Sequence, residues 1–562
     1  MNGPSGLCDR HATFQAVVPT PRAFAPAVRP AAGTTGEALL FAAFAGSLAA
    51  VLCWAAPAGT DFAAHDYQRA VFMEHGFQLW NNLWYSGHYS FVTYSVLYYP
   101  LAALLGIRLL AVVTVMAGTY AFATVLGREW GPAARWSSAA FAVVWGAFVL
   151  TGAFPFALGL ALALLALSAL QNGSRALFAV WCALCLTASP LAFLLLALVL
   201  GGIAVSGRAE GRGLWLPAVT VAALGTLEVA LWRLFPSGGR ASFSVEELIF
   251  SAGFCASIVL ITWRVERARV LRFIFLALGA ACVAAFIVPS AIGHNIDRFR
   301  LVSIPIAVLA LSLRRWRPLA LSAVVLPLVV WWNVYPLANS LKHGIGDPAA
   351  QASYWAPAVQ FLEGRLDPSY RVEVVGTARH WEAVYLPEAG IPLTRGWFRQ
   401  DDFPQNKLLY GELTADKYLH WLRSLGVQYV VLTDSRPDYS AKREAALIAS
   451  GGSGLRPVLR TRHLTVLSVP APRPLVTGPG RARVIRLSEG GLVLAIGRPG
   501  AYRVAVRYSP YWQASAGCVG RGRDGMTVIE TPRAGRVELA FRVEAGRALD
   551  VLDGHAARTC RA

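Results

Sequence analysis

Long apolar runs broken by short Arg-bearing turns fill the first 335 residues. The pattern predicts eleven membrane spans, near residues 38–57, 108–127, 136–150, 153–170, 176–188, 190–206, 214–235, 246–263, 271–291, 300–313 and 318–335. Several are short against the roughly 20 residues that cross a bilayer as a helix. Residues 1–36 are rich in Pro and Ala and read as a flexible cytoplasmic arm. The stretch 94–106, with Tyr94, Tyr98 and Tyr99, reads as a re-entrant or interfacial segment, because an extra crossing there would invert every later loop.

Arginine placement tests this topology. With the N-terminus inside, the inner connections hold Arg128, Arg135, Arg175, Arg208, Arg212, Arg264, Arg267, Arg269, Arg272, Arg314, Arg315 and Arg317. The outer ones hold Arg69, Arg233, Arg240, Arg298 and Arg300. That bias follows the positive-inside rule. An odd number of spans then places residues 336–562 outside.

The tail is too polar to span. Residues 370–377 alternate like a strand, 418–425 read as a helix, and 427–433 as a buried strand after a turn at Gly426. Residues 336–463 are thus expected to form an α/β domain. Short strands then recur between Gly-rich turns, at 464–469, 482–487, 491–496, 502–508 and 537–543, so residues 464–562 read as a β-sandwich. The expected fold is a mainly α polytopic membrane domain, 37–335, with a large first outer loop, 58–107, and an extracytoplasmic α/β plus β-sandwich tail.

Composition agrees. The chain is 56% hydrophobic and 15% charged, against about 25% charged in soluble proteins. This excludes a disordered chain, a small disulfide scaffold and an ordinary cytosolic enzyme. The net charge is +19. A nucleic-acid partner is not expected, because the Arg of the first half sit in short loops where they set topology. Cys53, Cys182, Cys185, Cys255 and Cys282 lie in apolar spans and read as packing thiols. Cys182 and Cys185 form a CxxC without the second pair that a metal site of that kind needs. Cys8 lies in the arm. Cys518 and Cys560 are candidates for a disulfide in an oxidising exterior.

The first outer loop carries the densest chemistry. Thr60 or Asp61 can cap a short helix on which Asp61, His65 and Arg69 share a stripe, with Asp66 beside them. Such a group can abstract a proton, hold a cation or bind a phosphate; the plainer reading is a solvated helix cap. Farther on, Trp80, Asn81, Trp84, Tyr85 and His88 offer either sugar-stacking rings with hydroxyl-binding partners or an interfacial aromatic belt. A second polar stretch holds His294, Asp297, Arg298 and Arg300. Its arginines either clamp a phosphate or pair with Asp297. Glu228 lies inside an apolar span, where an acid usually faces a cavity or a partner. In the tail, His380 with Trp381, Trp397 with Arg399, Asp401 and Asp402, and the stretch 508–512 suit either carbohydrate contact or domain packing.

With Asp61 and Asp66 in the first outer loop, about eleven spans and an outer C-terminal region, residues 38–562 resemble the GT-C superfamily of membrane glycosyltransferases. Asp61 and Asp66 match the paired acids of that loop, with a wider spacing. The chain also resembles actinobacterial multi-pass membrane proteins of this general type. The resemblance implies an inverting transfer of a sugar from a polyprenyl-phosphate donor to a cell-envelope glycan or glycolipid at the outer face of the plasma membrane. Asp61 or Asp66 would be the base, positioned by His65. Arg298 and Arg300, with Arg69 and His294, would hold the donor phosphate. Trp80, Asn81, Trp84, Tyr85, His88, Trp397 and Arg399 would contact sugar or acceptor. A divalent cation is compatible but not required. The alternative is a non-catalytic lipid-linked-sugar transporter or an envelope-assembly scaffold. Polar groups gather at the outer surface rather than at mid-membrane, which favours surface chemistry over passage.

Overall fold

The computed structural model describes residues 32–207, 215–236, 239–554 and 560. Most of the expected arm, with Cys8, and the inner-loop Arg208 and Arg212 lie outside the described residues.

Each expected span coincides with a helix. The first is α1 (Ala32–Ala55). The first loop follows, built from α2 (Phe62–His75), β1 (Trp80–Asn81), β2 (His88–Tyr89) and α3 (Tyr98–Leu105). The bundle continues with α4 (Ile107–Trp130), α5 (Arg135–Ala147), α6 (Phe154–Gln171), α7 (Arg175–Ala188), α8 (Pro190–Val205), α9 (Trp215–Leu234) and α10 (Val245–Thr262). It closes with α11 (Arg269–Ile287), α12 (Ser303–Leu313) and α13 (Leu319–Gly344). Among the described residues, seven helical stretches are long and apolar enough to cross a membrane. One of these, Ile107–Leu150, covers 44 residues. Drawn straight it would measure about 66 Å, twice the hydrocarbon thickness. It instead folds back at the turn Gly131–Ala134, so that Phe122 of α4 stacks on Phe141 of α5 at 3.9 Å.

Local sequence accounts for the breaks. Ser189 caps α8 by accepting from the Ala192 N–H, and Pro190 occupies the first turn, where its missing N–H costs nothing. Ser244 and Glu247 form a reciprocal capping box at α10. Gly202 of α8 lets α11 approach: a Cβ there would lie 2.7 Å from the Ile274 backbone.

The connections fall into two sets at opposite ends of the bundle. At one end, Glu37 pairs with Arg135, Trp130 donates to the Arg267 carbonyl, and Arg314 to that of Ile261. At the other, the first loop meets the turn after α5 (Asp61 N–H to Thr151 O, 2.9 Å) and the end of α7 (Val96 N–H to Thr187 O, 2.9 Å). The segment before α10 joins the tail at that same end, through Arg240 N–H to Gln400 O.

Three expectations need correction. Helix α13 does not stop at 335. It runs through Pro336 to Gly344, with Lys342 and His343 in its last turn, where cations favour the helix dipole. The segment 94–106, expected not to cross, contributes an eight-residue helix, α3, too short to do so, and what needs correction there is the expected interfacial placing of its tyrosines. Its Tyr98 and Tyr99 are buried, not placed in an aromatic belt.

The third correction moves a domain boundary. The α/β domain contains α14 (Ala352–Arg365), β3 (Arg371–Val374), α15 (Glu382–Glu388), α16 (Ala415–Ser424), β4 (Val427–Thr433), β5 (Arg456–Arg460) and β6 (Leu464–Ser468). Its sheet runs β3-β4-β6-β5, with β3 parallel to β4 and the other pairs antiparallel. Strand β6, expected in the sandwich, therefore lies inside this sheet. An apolar strand reads alike in either place, and only its long-range pairing to β4 decides.

The sandwich comprises β7 (Val476–Thr477), β8 (Ala482–Ser488), β9 (Gly491–Ile496), β10 (Gly500–Arg507), β11 (Trp512–Ala514), β12 (Cys518–Arg521), β13 (Met526–Thr531) and β14 (Gly535–Phe541). Two antiparallel sheets, β12-β13-β10-β7 and β11-β14-β9-β8, enclose Leu494, Tyr502, Val504, Ile529 and Leu539. Trp80 and Tyr89 of the first loop join that core. A disulfide links Cys518 of β12 to Cys560.

Candidate functional site

Asp61 holds the N-cap position of α2, yet its side chain caps nothing. The loop that carries it is clamped: Gly59 lies against Gly152, where a Cβ would come within 2.4 Å of backbone nitrogen. Thr60, also a candidate cap, bonds Ser340 instead, hydroxyl to hydroxyl at 2.7 Å. The free Asp61 carboxylate lies 4.0 Å from the Arg298 guanidinium, each side chain about a quarter accessible (24% and 23%). Arg298 is steadied by Asn295 Oδ1, which accepts from its Nε and Nη2 at 3.3 Å, and by the Phe156 ring beneath it. Burial pushes the Asp61 carboxyl above its ordinary range, while Arg298, Arg399, His380 and His294 pull it back down. Asp61 therefore sits, partly open to solvent, in the seam where the first loop, the segment before α12 and the tail come together.

The tail's side of this seam is a network that the sequence reading only half saw. Arg399 grips Asp438 with both terminal nitrogens, at 2.6 Å for Nη1, and also donates to Ser440 Oγ at 3.0 Å. Its Nη2 lies 2.9 Å from His380 Nε2, and Glu382 Oε1 lies 3.0 Å from His380 Nδ1. Nδ1 faces Glu382 and Nε2 faces Arg399 and Asp438; burial pushes the His380 imidazole down, but the Asp438 and Glu382 carboxylates outweigh it and hold it above its ordinary value. Trp397 stacks on the imidazole at 4.6 Å, and Tyr439 lies under the guanidinium at 4.4 Å. His380 has φ of +55°, a conformation uncommon outside glycine. Behind the network, His380, Glu382, Trp397, Arg399 and Tyr85 line a cavity of about 20 Å³, the size of a single water. Asp438 had carried no sequence signal, because it lies 58 residues from His380 and shares no local motif with it, whereas Glu382, only two residues from His380, was passed over.

Other expected site residues lie elsewhere. His65 is fully buried, with Nδ1 3.2 Å from the Tyr99 hydroxyl and its ring among Tyr94, Tyr98 and Phe154. Burial lowers its pKa to about 3, so it is neutral, and its bond is to Tyr99 rather than to either carboxylate. Asp66 is set apart from Asp61: burial raises it, and its countercharges are Arg69 and Arg108. Five helical steps turn a side chain by about 140° from its start, which separates the two acids. Arg69 donates from Nε to the Ala102 carbonyl at 2.9 Å. Arg300 pairs with Asp297 at 3.7 Å, so of the two arginines only Arg298 meets Asp61. His294 holds the Ser242 carbonyl at 2.7 Å through Nδ1 while still lying near Asp61.

The loop aromatics form a core rather than a sugar platform. Trp80 stacks on Phe541 and donates to Asn82 Oδ1. Asn81 donates to the Tyr67 hydroxyl and accepts from Leu83 N–H. Trp84 is fully buried and donates to Ala383 O at 3.0 Å. His88 is buried beside Asp401 and is pushed down to about 3. Tyr85 alone of these five lines the small cavity. Together they weld the tail onto the membrane domain. Cys182 and Cys185 are buried in the bundle, as packing thiols should be. Among the described residues the one close trio of potential metal ligands is Cys518, Glu530 and Cys560, and its sulfurs are already bonded to each other.

Fold and site define a multi-pass membrane protein with a polar site at the seam between its helical bundle and its tail. No protein-family model matches the chain, and no curated protein matches it. Among solved structures it is similar to the arabinofuranosyltransferase AftD from Mycobacteria, at 18% identity and a TM-score of 0.45, over 77% of this chain and 40% of that one. A point-mutant form of AftD matches at 16% identity and a TM-score of 0.44, over 84% of this chain and 43% of that one. The chain thus spans about two fifths of the length of the structures it matches.

Proposed function

We propose that the protein is an inverting glycosyltransferase of the plasma membrane. It moves a sugar from a polyprenyl-phosphate donor to a hydroxyl of a cell-envelope glycan or glycolipid. One observation carries the reading: an uncapped carboxylate, Asp61, faces Arg298, with Arg399 and His380 of the tail near enough to act on its charge. The N-terminus is cytoplasmic and the site lies at the outer face, as the arginine bias predicts.

In this reading Asp61 takes the proton of the acceptor hydroxyl. The freed oxygen attacks the anomeric carbon from the side opposite the phosphate. The bond from that carbon to the phosphate oxygen breaks, and the lipid phosphate leaves with the electron pair. Arg298 and Arg399 stabilise the charge that develops on it. A carboxyl raised by burial accepts a proton more readily than one in water. Arg298 supplies the nearest positive charge, Arg399 being paired with Asp438, and the proposed step balances without a divalent cation.

The test is transfer of labelled sugar from polyprenyl-phosphate donors to envelope acceptors, by the purified protein and by Asp61→Asn. Transfer by the wild type alone supports the reading. Donor binding without transfer by either form, across a panel of donors, replaces it with a donor-binding scaffold.

A further inference from the structure

The α/β domain and the sandwich do not meet flush. Between them lies a groove of about 520 Å³, a volume typical of ligand sites. Helix α16 and its end supply His420, Trp421 and Arg423, the connection to the sandwich supplies Arg473, and the sandwich supplies Arg503 and Asp524.

Its polar groups are not spent on each other. Gln405 reaches the groove with a buried Oε1 that has no hydrogen-bond partner. Such an orphaned acceptor is rare in folded proteins and calls for a donor. Arg423 gives Nε and Nη2 to the Pro470 carbonyl, at 3.1 and 2.8 Å, which leaves Nη1 unused. Arg473 and His420 are exposed and carry no bond among the described residues. Arg503 is the fixed member, held by Asp524 Oδ2 at 2.7 Å and by the Ser424 carbonyl at 2.8 Å. Three guanidiniums against one carboxylate leave the groove positive. Trp421, tied through Nε1 to Asn406 and stacked on Tyr418, is buried beneath the groove and stiffens its floor. A lone amide acceptor, an exposed imidazole and spare guanidiniums together suit a hydroxyl-bearing ligand with an anionic group, such as an acidic sugar.

The groove is also tethered to the site at Asp61. Gln405 follows Arg399 by six residues, so their Cα atoms are at most about 20 Å apart. We propose that the groove holds an anionic acceptor glycan a few sugar units from the hydroxyl that reacts at Asp61. The acceptor role rests on the glycosyltransferase reading; the binding of an acidic saccharide does not.

The experiment uses the full-length protein in detergent. A uronate-containing oligosaccharide and a neutral one of equal length are titrated against wild type, Arg473→Ser and the double variant Arg423→Ser with Arg473→Ser. The wild type is expected to bind the acidic probe, with at least about a tenfold loss in the double variant. In transfer assays the same variant raises KM for the long acidic acceptor and leaves kcat, and transfer to a short acceptor, unchanged. If no acceptor is glycosylated but the binding loss holds, the groove stands and the enzyme reading falls. Equal binding by wild type and double variant, equal binding of the neutral probe, or an effect seen only on anionic lipid vesicles overturns the groove proposal.

Discussion

Asp61 and Arg298 meet at 4.0 Å although one follows the first helix of the bundle and the other precedes α12. A partly solvated pair at that distance contributes little to stability. Its disruption is therefore expected to cost activity and spare the fold. Asp61→Asn should lower transfer by about 10² to 10⁴, the usual worth of a general base, with an unchanged thermal midpoint. A variant that melts early would show a structural role instead.

The pH profile offers a second check. Burial raises the Asp61 carboxyl, and Arg298 is first among the charges that lower it again. The base must be ionised, so transfer should fall as pH drops through this raised value. Arg298→Gln removes the counteracting charge, and the acid limb of kcat/KM should move to higher pH. A limb that stays in place, or moves down, removes Asp61 as the group that titrates.

His65 discriminates the site from its surroundings. It is neutral, buried among rings, and bonded once, to Tyr99. His65→Phe keeps the bulk and loses that bond, so it should cost about 1 kcal/mol of stability while transfer stays within a few fold. A collapse of kcat with an intact fold would return His65 to the chemistry.

How much of this was legible beforehand follows from the range of each interaction. The helices of the bundle were readable, because apolar length is written locally. So were most tail strands, through alternation between turns. Strand β6 was misplaced because the residues it pairs with in β4 lie 31 to 39 positions upstream, as in Thr433 with Leu464 and Tyr429 with Ser468. Asp61, Arg298, Trp397 and Arg399 were singled out by residue type, but only the folded chain brings Asp61 to Arg298 and locks Arg399 to Asp438. The aromatic run from Trp80 to Tyr89 misled for a physical reason. A ring that stacks on sugar and a ring that welds two domains have the same composition.

That weld has a narrow tolerance at Gly396. A Cβ there would lie 2.5 Å from the buried indole of Trp84, which cannot retreat because Tyr67 packs on its ring at 4.5 Å. Gly396→Ala should force the segment bearing Arg399 off the first loop. Overpacking of this kind costs about 1–3 kcal/mol. Transfer is expected to drop with it, and Trp84→Phe, which frees space, should restore part of the loss when combined. Failure of the pair to recover would mean that Gly396 acts by another route.

The same seam makes stability depend on pH. Asp401 is buried beside His88, and burial raises its carboxyl to about 7, with Arg507 opposing and Asp402 adding. In the unfolded chain the group titrates near 4. Between those values the folded protein keeps a proton that the unfolded chain releases. The contribution is present in full below about pH 4 and is lost as pH rises through 7. His88, neutral above about 3 in the fold but titrating at about 6.5 in the unfolded chain, contributes an opposite slope up to about pH 6.5, which is common to the wild type and an Asp401 variant and cancels in their comparison. Asp401→Asn holds the side chain neutral throughout, so its thermal midpoint should fall less than that of the wild type between pH 5 and pH 8. The full difference is at most about 4 kcal/mol. Parallel loss in both proteins would mean that Asp401 is ionised at the seam, and that Arg507 rather than a shared proton holds it there.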